Sequence, residues 1–164
     1  PKRFAIICAG AMVNILFGIL AYMILIMVTY LISVEANFFN AVGYAFSSTG
    51  TLIYAMGDSI VQLFTGKVSM NDMVGPVGIS QMVSQTAGIA QFVYLLAIIS
   101  VSLGITNLLP FVPLDGGKAL LLIIEAIRRK PLKEETELKL QTAGFFVLIV
   151  FSILVAYNDI LRLM

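Results

Sequence analysis

The stretch FAIICAGAMVNILFGILAYMILIMVTYLISV, residues Phe4 to Val34, contains 31 consecutive residues without a charged side chain. An α-helix needs about 20 apolar residues to cross a bilayer, so this stretch predicts a membrane span over about residues 4–33. Lys2 and Arg3 before it are also typical of a signal peptide. The apolar run is too long for a signal peptide, however, and no cleavage site of small residues closes it.

The composition of the whole chain indicates a membrane protein. Of 164 residues, 60% are hydrophobic and 12% are charged, whereas soluble domains carry about 25% charged residues. Two further spans are predicted over about residues 88–109 and 140–163; the first lies within the uncharged run Met73–Leu114, and the second extends the uncharged run Leu140–Asn158. Backbone groups in lipid must be hydrogen-bonded within the protein, so all three spans are predicted to be helices. The net charge of +1 implies no nucleic-acid partner.

Residues 38–65 have a different pattern, in which apolar side chains recur at spacings of three and four along one face. This predicts an amphipathic helix that lies along the membrane surface or packs on the spans. We expect its buried face to include Phe39, Phe46, Ile53 and Ile60, and we hypothesise that the helix gates or filters substrates. The predicted fold class is all-α, a single domain over residues 1–164. It is a polytopic membrane helix bundle with three transmembrane helices plus an amphipathic helix.

The distribution of basic residues predicts the orientation in the membrane. With three spans, the N-terminus and residues 109–141 share one side. Eight of the ten basic residues lie there, and only Lys67 and Arg162 lie opposite. The eight are Lys2, Arg3, Lys118, Arg128, Arg129, Lys130, Lys133 and Lys139. Cytoplasmic segments are rich in Lys and Arg, so residues 110–139 are predicted to form a cytoplasmic loop, with residues 38–65 outside.

The segment most informative about chemistry is NLLPFVPLDGG, residues 107–117, at the end of the second span. Pro110 and Pro113 prevent a regular helix, and non-helical backbone within a membrane must be buried in protein or line a cavity. Asn107 and Asp115 border this break, and polar groups at such depth are functional candidates. Two structural alternatives stay open. Asp115 could cap a helix that begins near Gly117, and Asn107 could bond the carbonyls freed by the break.

The motif N-x-x-P-x-x-P-L-D-G-G resembles the signature of the site-2 proteases, and the rest of the chain resembles the bacterial regulator-of-sigma-E protease branch. Four other stretches are similar to that branch in the same order, so the resemblance covers nearly all of the chain. These are Ala9-Gly10-Ala11-Met12-Val13-Asn14, Gly66-Lys67-Val68-Ser69 with Gly75-Pro76-Val77-Gly78-Ile79, Ser100 to Asn107, and Tyr157-Asn158-Asp159-Ile160-Leu161.

The resemblance implies a zinc endopeptidase of the bacterial plasma membrane. Its partners would be membrane-spanning proteins, such as anti-sigma factors or signal-peptide remnants, cut within the bilayer. Zinc would be held by Asp115 and by two histidines of an H-E-x-x-H helix, whose Glu would be the general base. Substrate binding would involve Asn107, Pro110 and Pro113. Supporting positions would be Asn14, Gly116 and Gly117, where the two glycines would let another helix approach closely.

The chain departs from the family pattern in three ways. It contains no histidine and therefore no H-E-x-x-H motif. No PDZ domain fits between Val34 and the amphipathic segment, and Ala11 replaces the usual proline. We therefore expect a fragment, since Pro1 is no natural start, with its general base upstream and no activity alone. Two other classes stay open. One is a fragment of a transporter or channel with a broken helix, although no internal repeat supports it; the other is a non-catalytic membrane scaffold.

Overall fold

The computed structural model describes residues 2–34, 37–67 and 73–163, and these form six α-helices and no strands. They are α1 (Lys2–Val34), α2 (Phe38–Phe64), α3 (Pro76–Ser84), α4 (Ile89–Leu108), α5 (Asp115–Arg128) and α6 (Glu134–Leu163). The prediction of an all-α fold is confirmed. Within the described ranges, α1, α4 and α6 are long and apolar enough to cross a membrane, as predicted. Val68 and Ser69, quoted above for the family resemblance, lie outside the described residues.

α1 and α4 form an antiparallel pair whose backbones are in close contact. A Cβ atom added to Gly18 of α1 would lie 2.7 Å from the carbonyl oxygen of Ala97. A Cβ atom added to Gly104 of α4 would lie 2.7 Å from the carbonyl oxygen of Ala11. Only glycine leaves room for this approach, and small residues are the usual means of packing membrane helices. The start of α1 and the end of α4 therefore lie on the same side of the bundle.

α2 packs against α1, but through a different face from the one predicted. Its buried positions are Ala41, Ala45 and Thr49, which are spaced by four and so form one stripe. Beside this stripe, the rings of Tyr30 and Tyr44 stack with centroids 4.4 Å apart. The contact between the two helices is thus made by small side chains and one aromatic pair.

The prediction that Phe39, Phe46, Ile53 and Ile60 would be buried was wrong. Phe39 is 82% exposed, Phe46 is 64% exposed and Ile53 is 50% exposed, while Ile60 is half-buried. The physical reason is that large apolar side chains on membrane helices gain nothing by leaving lipid for protein, whereas small residues allow helices to approach closely. Hydrophobicity therefore does not identify the packed face of α2.

The segment expected to be a cytoplasmic loop, residues 110–139, contains the 14-residue helix α5. Its buried positions are Gly116, Gly117 and Ala119. α5 ends at Arg128, and the C-cap residue Arg129 has a left-handed backbone conformation with φ of 53°. The following turn is closed by a hydrogen bond of 2.7 Å from the Leu132 amide to Glu125. α6 then begins at Glu134, earlier than the predicted span at residue 140.

Candidate functional site

Residues 109–114, between α4 and α5, are not helical, as predicted from Pro110 and Pro113. The amide of Phe111 donates to the carbonyl of Leu109 at 2.7 Å, and the amide of Leu114 donates to the carbonyl of Phe111 at 2.8 Å. The Val112–Pro113 peptide bond is cis. The backbone groups released by the break are thus partly satisfied by tight turns within the segment itself.

Gly116 and Gly117 bring the first turn of α5 against this interrupted segment. A Cβ atom on Gly116 would overlap the backbone of Leu108 and Leu109, and one on Gly117 would lie 2.5 Å from the carbonyl of Phe111. The space beside the two glycines is therefore filled by the residues that precede them in sequence. The nearest backbone at these glycines belongs to the end of α4 and to the break, and the approach of a further helix stays a prediction.

Gly144 of α6 also lies against the interrupted segment. A Cβ atom on Gly144 would overlap the carbonyl of Val112 and would lie 3.1 Å from Cδ of Pro113. Sequence reasoning did not single out this glycine. The available signal was a small residue inside a span of large apolar ones, which commonly marks a helix contact in membrane proteins. The break and the residue before it are consequently in close contact with three glycines, two on α5 and one on α6.

Asp115 is the first residue of α5 and is partly exposed. The N-cap position belongs to Leu114, and no side-chain capping hydrogen bond is formed there, so Asp115 does not act as the cap. A carboxylate in the first turn is favoured by the helix dipole. Among the described residues, its side chain has no hydrogen bond or ion pair. Nor does any group of three His, Cys, Asp or Glu side chains that could hold a metal occur among them.

The other residues singled out from the sequence lie around the same break or on α1. Asn107 is half-buried in the last turn of α4, and its side-chain amide bonds none of the carbonyls in the described part of the chain. Pro110 is exposed, and Pro113 is half-buried against α6. Asn14 lies farther away, in the α1–α4 contact, where its carbonyl accepts a hydrogen bond of 2.9 Å from the Ser100 hydroxyl.

A groove of about 860 Å³ opens beside the break and is lined mainly by apolar side chains. Its walls come from the end of α2, the segment before α3, the break itself and the middle of α6. The lining residues of the break are Leu109, Pro110, Phe111 and Leu114. Pro110 is thus the one candidate substrate residue in the lining of this groove, and Leu114, which also lines it, is adjacent to Asp115.

A second acidic residue, Asp159, lies near the other end of α6 and is 3% exposed. Sequence analysis quoted it only as part of the family resemblance. Asp159 could have been identified from the sequence because it is the only acidic residue after Glu137 and follows a long uncharged run. A lone carboxylate in an apolar span needs hydrogen-bond donors from another element.

Comparisons with known proteins identify similar chains. The model of peptidase family M50 matches residues 1–151. The zinc metalloprotease RasP of Bacillus licheniformis is 38% identical over 132 residues, which cover 79% of this chain and 32% of the relative. The regulator of sigma-W protease RasP of Bacillus subtilis is 40% identical over 131 residues, 79% of this chain and 31% of the relative.

A protein of Streptococcus pyogenes, provisionally named a zinc metalloprotease, is 40% identical over 144 residues, which cover 82% of this chain and 33% of the relative. The chain thus spans about a third of the length of the curated relatives it matches.

Proposed function

The chain belongs to peptidase family M50, the site-2 proteases, and from this premise we propose that it is part of the membrane core of a zinc-dependent intramembrane endopeptidase. The observation that carries the proposal is the break between α4 and α5. It follows the membrane-spanning helix α4, lines a groove and is followed directly by Asp115, whose carboxylate has no partner among the described residues. Irregular backbone at such a position is tolerated where it lines a cavity, and here it lines the groove.

Asp115 is the residue of this chain proposed to bind zinc. Catalytic zinc is commonly held by three protein ligands with one position open. A carboxylate with no partner among the described residues fits one of those three, and the other two, together with the general base, would come from sequence outside this chain. When bound, zinc would supply Lewis-acid chemistry to the scissile carbonyl and to water. The contribution of Asp115 is a negative charge fixed at the start of α5.

The groove is proposed to receive the substrate segment. Its lining is mainly apolar and suits the side chains of a membrane-spanning protein, and Leu114, one of the lining residues, immediately precedes Asp115. Pro110 would contact the substrate within the groove. Asn107 precedes the break and Pro113 lies within it, and both would contact the substrate. Asn107 would do so through its side-chain amide, which can both donate and accept hydrogen bonds.

The end of α2 forms one wall of the groove through Ser59, Gln62 and Leu63. This supports the hypothesis that α2 filters substrates, because a substrate must pass these side chains to reach Pro110. The exposed aromatic face of α2, including Phe39 and Phe46, would contact lipid.

The proposed location is a bacterial plasma membrane, with the α4–α5 break on the cytoplasmic side. Basic side chains support this orientation, since the segment from Lys118 to Lys139 is richer in them than any segment on the opposite side. The proposed partners are membrane-spanning proteins, anti-sigma factors among them, since one relative is named for regulating sigma-W.

The proposal is tested with the full-length protein in lipid nanodiscs and a synthetic peptide that spans the membrane once. We expect cleavage within the apolar part of the peptide, loss of cleavage after treatment with a zinc chelator, and recovery when Zn²⁺ is added. Absence of cleavage by the zinc-loaded protein, or cleavage that a chelator leaves unchanged, would refute the proposed reaction.

A further inference from the structure

Asp159 is buried near the end of α6, a helix long and apolar enough to cross a membrane. A carboxylate in such a place is costly unless it accepts hydrogen bonds. Its Oδ2 atom accepts from the backbone amide of Gly75 at 3.0 Å and from that of Gly78 at 2.9 Å. Its Oδ1 atom also accepts from Gly75, at 3.3 Å. Both amides belong to the start of α3, so Asp159 joins two elements that are far apart in sequence.

The bonds replace a cap that α3 does not supply itself. Gly75 is the N-cap residue of α3 and has no side chain with which to accept a hydrogen bond. In most helices an Asp, Asn, Ser or Thr at that position bonds the amide three residues later, which here is Gly78. Asp159 fills this role from α6, and its negative charge is favoured at the positive end of α3. With nine residues, α3 is too short to be stable without such support.

The contact leaves no room for side chains on either glycine. A Cβ atom on Gly75 would lie 2.8 Å from Oδ2 of Asp159 and 2.8 Å from Cγ1 of Val155. A Cβ atom on Gly78 would lie 2.8 Å from Cγ1 of Val74 and 3.3 Å from the Asp159 carboxylate. The carboxylate and the two glycines therefore form one close-fitting unit, which we call the α3–α6 clasp.

The α3–α6 clasp lies at one end of the groove described above. Met73 and Val74, the two residues before Gly75, line the groove, and so does Val155, one helical turn before Asp159. Arg162 provides a second contact between α6 and the segment before α3, because its Nη1 atom donates to the carbonyl of Met73 at 3.5 Å. The position of the Met73–Val74 rim relative to α6 is thus determined by the clasp.

We propose that Asp159 is a positioning residue that sets the width of the groove and thereby the size of the substrate side chains it accepts. The inference rests on the proposed proteolytic function, which it deepens. By holding the start of α3 against α6, the carboxylate keeps Met73 and Val74 at a fixed distance from the α6 residues that line the groove, such as Val147. Asp159 lies about four helical turns along α6 from Gly144, which contacts the segment before Asp115, so its loss should affect substrate binding rather than the reaction at zinc.

The first measurement is of the groove itself and needs no proteolysis. Spin labels are attached to cysteines replacing Met73 and Val147, two groove-lining positions, in the full-length protein with Cys8 changed to Ala. Asp159→Ala removes both acceptor oxygens and leaves the amides of Gly75 and Gly78 without an acceptor, so the distribution of label distances should broaden and shift to longer values. Gly75→Ala should do the same while keeping the carboxylate. Glu135→Gln on α6 and Gly88→Ala before α4 are matched controls, since Glu135 is exposed and Gly88 has open space around it.

The second measurement is cleavage of two membrane-spanning peptides, one with a central run of Leu and one with Ala in its place. In Asp159→Ala and Gly75→Ala, KM for the preferred peptide should rise about tenfold, equivalent to about 1.4 kcal/mol, with kcat nearly unchanged. The preference between the two peptides should also weaken.

Unchanged label distances in Asp159→Ala would overturn the proposal, as would a fall in kcat at constant KM. If the distances change as expected but the parent protein cleaves neither peptide, the proteolytic function itself is refuted, and the substrate-selecting role falls with it. Altered distances in the Glu135→Gln or Gly88→Ala controls would equally contradict an effect specific to the clasp.

Discussion

The carbonyl group of Val112 lies where a Cβ atom of residue 144 would be, so the backbone of the interrupted segment packs closely against α6 at Gly144. Because a Cβ atom at position 144 would overlap that carbonyl, Gly144 determines where the segment before Asp115 can lie. A position far along the chain thereby controls the geometry of the candidate site.

Gly144→Ala should therefore destabilise the protein, by about 1–3 kcal/mol as is usual for overpacking, and should lower any proteolytic activity. The measurement is thermal unfolding in detergent together with cleavage of a membrane-spanning peptide. Gly43→Ala is the control, because this helical glycine has open space around it and alanine there should be neutral or stabilising by up to about 1 kcal/mol. Equal behaviour of the two variants would contradict the close contact.

The corrected face of α2 leads to a second prediction. Ala45 is 1% exposed in the contact with α1, so Ala45→Leu should separate the helices and cost about 1–3 kcal/mol. Ala55→Leu, the same change at an exposed position of the same helix, should have little effect. The unfolding temperatures of the two variants test this prediction, and a larger loss for Ala55→Leu than for Ala45→Leu would contradict the buried stripe.

The orientation in the membrane is a third prediction. In a protein with Cys8 changed to Ala, Lys133→Cys should react with a membrane-impermeant thiol reagent only from the cytoplasmic side, because basic segments stay inside. Lys67→Cys should react only from the opposite side. Labelling of intact cells and of inverted vesicles provides the comparison, and the reverse pattern would rule out the proposed topology.

Asn107 offers a fourth prediction, based on a side-chain amide that bonds no described residue. If that amide contacts substrate, Asn107→Leu should raise KM and lower cleavage in the full-length protein, while zinc content stays the same. Metal analysis and kinetics on one preparation test this. Loss of zinc together with activity would make Asn107 a residue that supports the metal site instead.

The helical fold and the break could be predicted from sequence because both depend on local properties. Uncharged runs such as Phe4–Val34 are long enough to span a membrane, and Pro110 and Pro113 exclude a regular helix wherever they occur. The buried face of α2 could not be predicted in this way. When the surroundings are apolar, large side chains such as Phe46 have no reason to turn inwards, and packing is decided by small residues such as Ala45.

The contacts between distant elements were also beyond sequence reasoning. The roles of Gly144 and Asp159 depend on their contacts with Val112 and Gly75. Their local sequence does not indicate that these residues are the partners. Gly116 and Gly117 were recognised as sites of close approach, but the group that approaches is the preceding backbone. Periodicity describes which residues share a helix face, whereas identifying what covers that face requires the tertiary structure.

The central claim is that Asp115 is a zinc ligand, and zinc content of the full-length protein carrying Asp115→Asn tests it most directly. Asn keeps the shape of the side chain but removes the negative charge, and it serves as well as Asp in any capping role. Metal analysis beside a cleavage assay, with Glu135→Gln as a control for loss of an exposed carboxylate, should show zinc and proteolysis falling together in Asp115→Asn alone. Full zinc content and full activity in that variant would contradict the claim and reduce Asp115 to a structural residue at the start of α5.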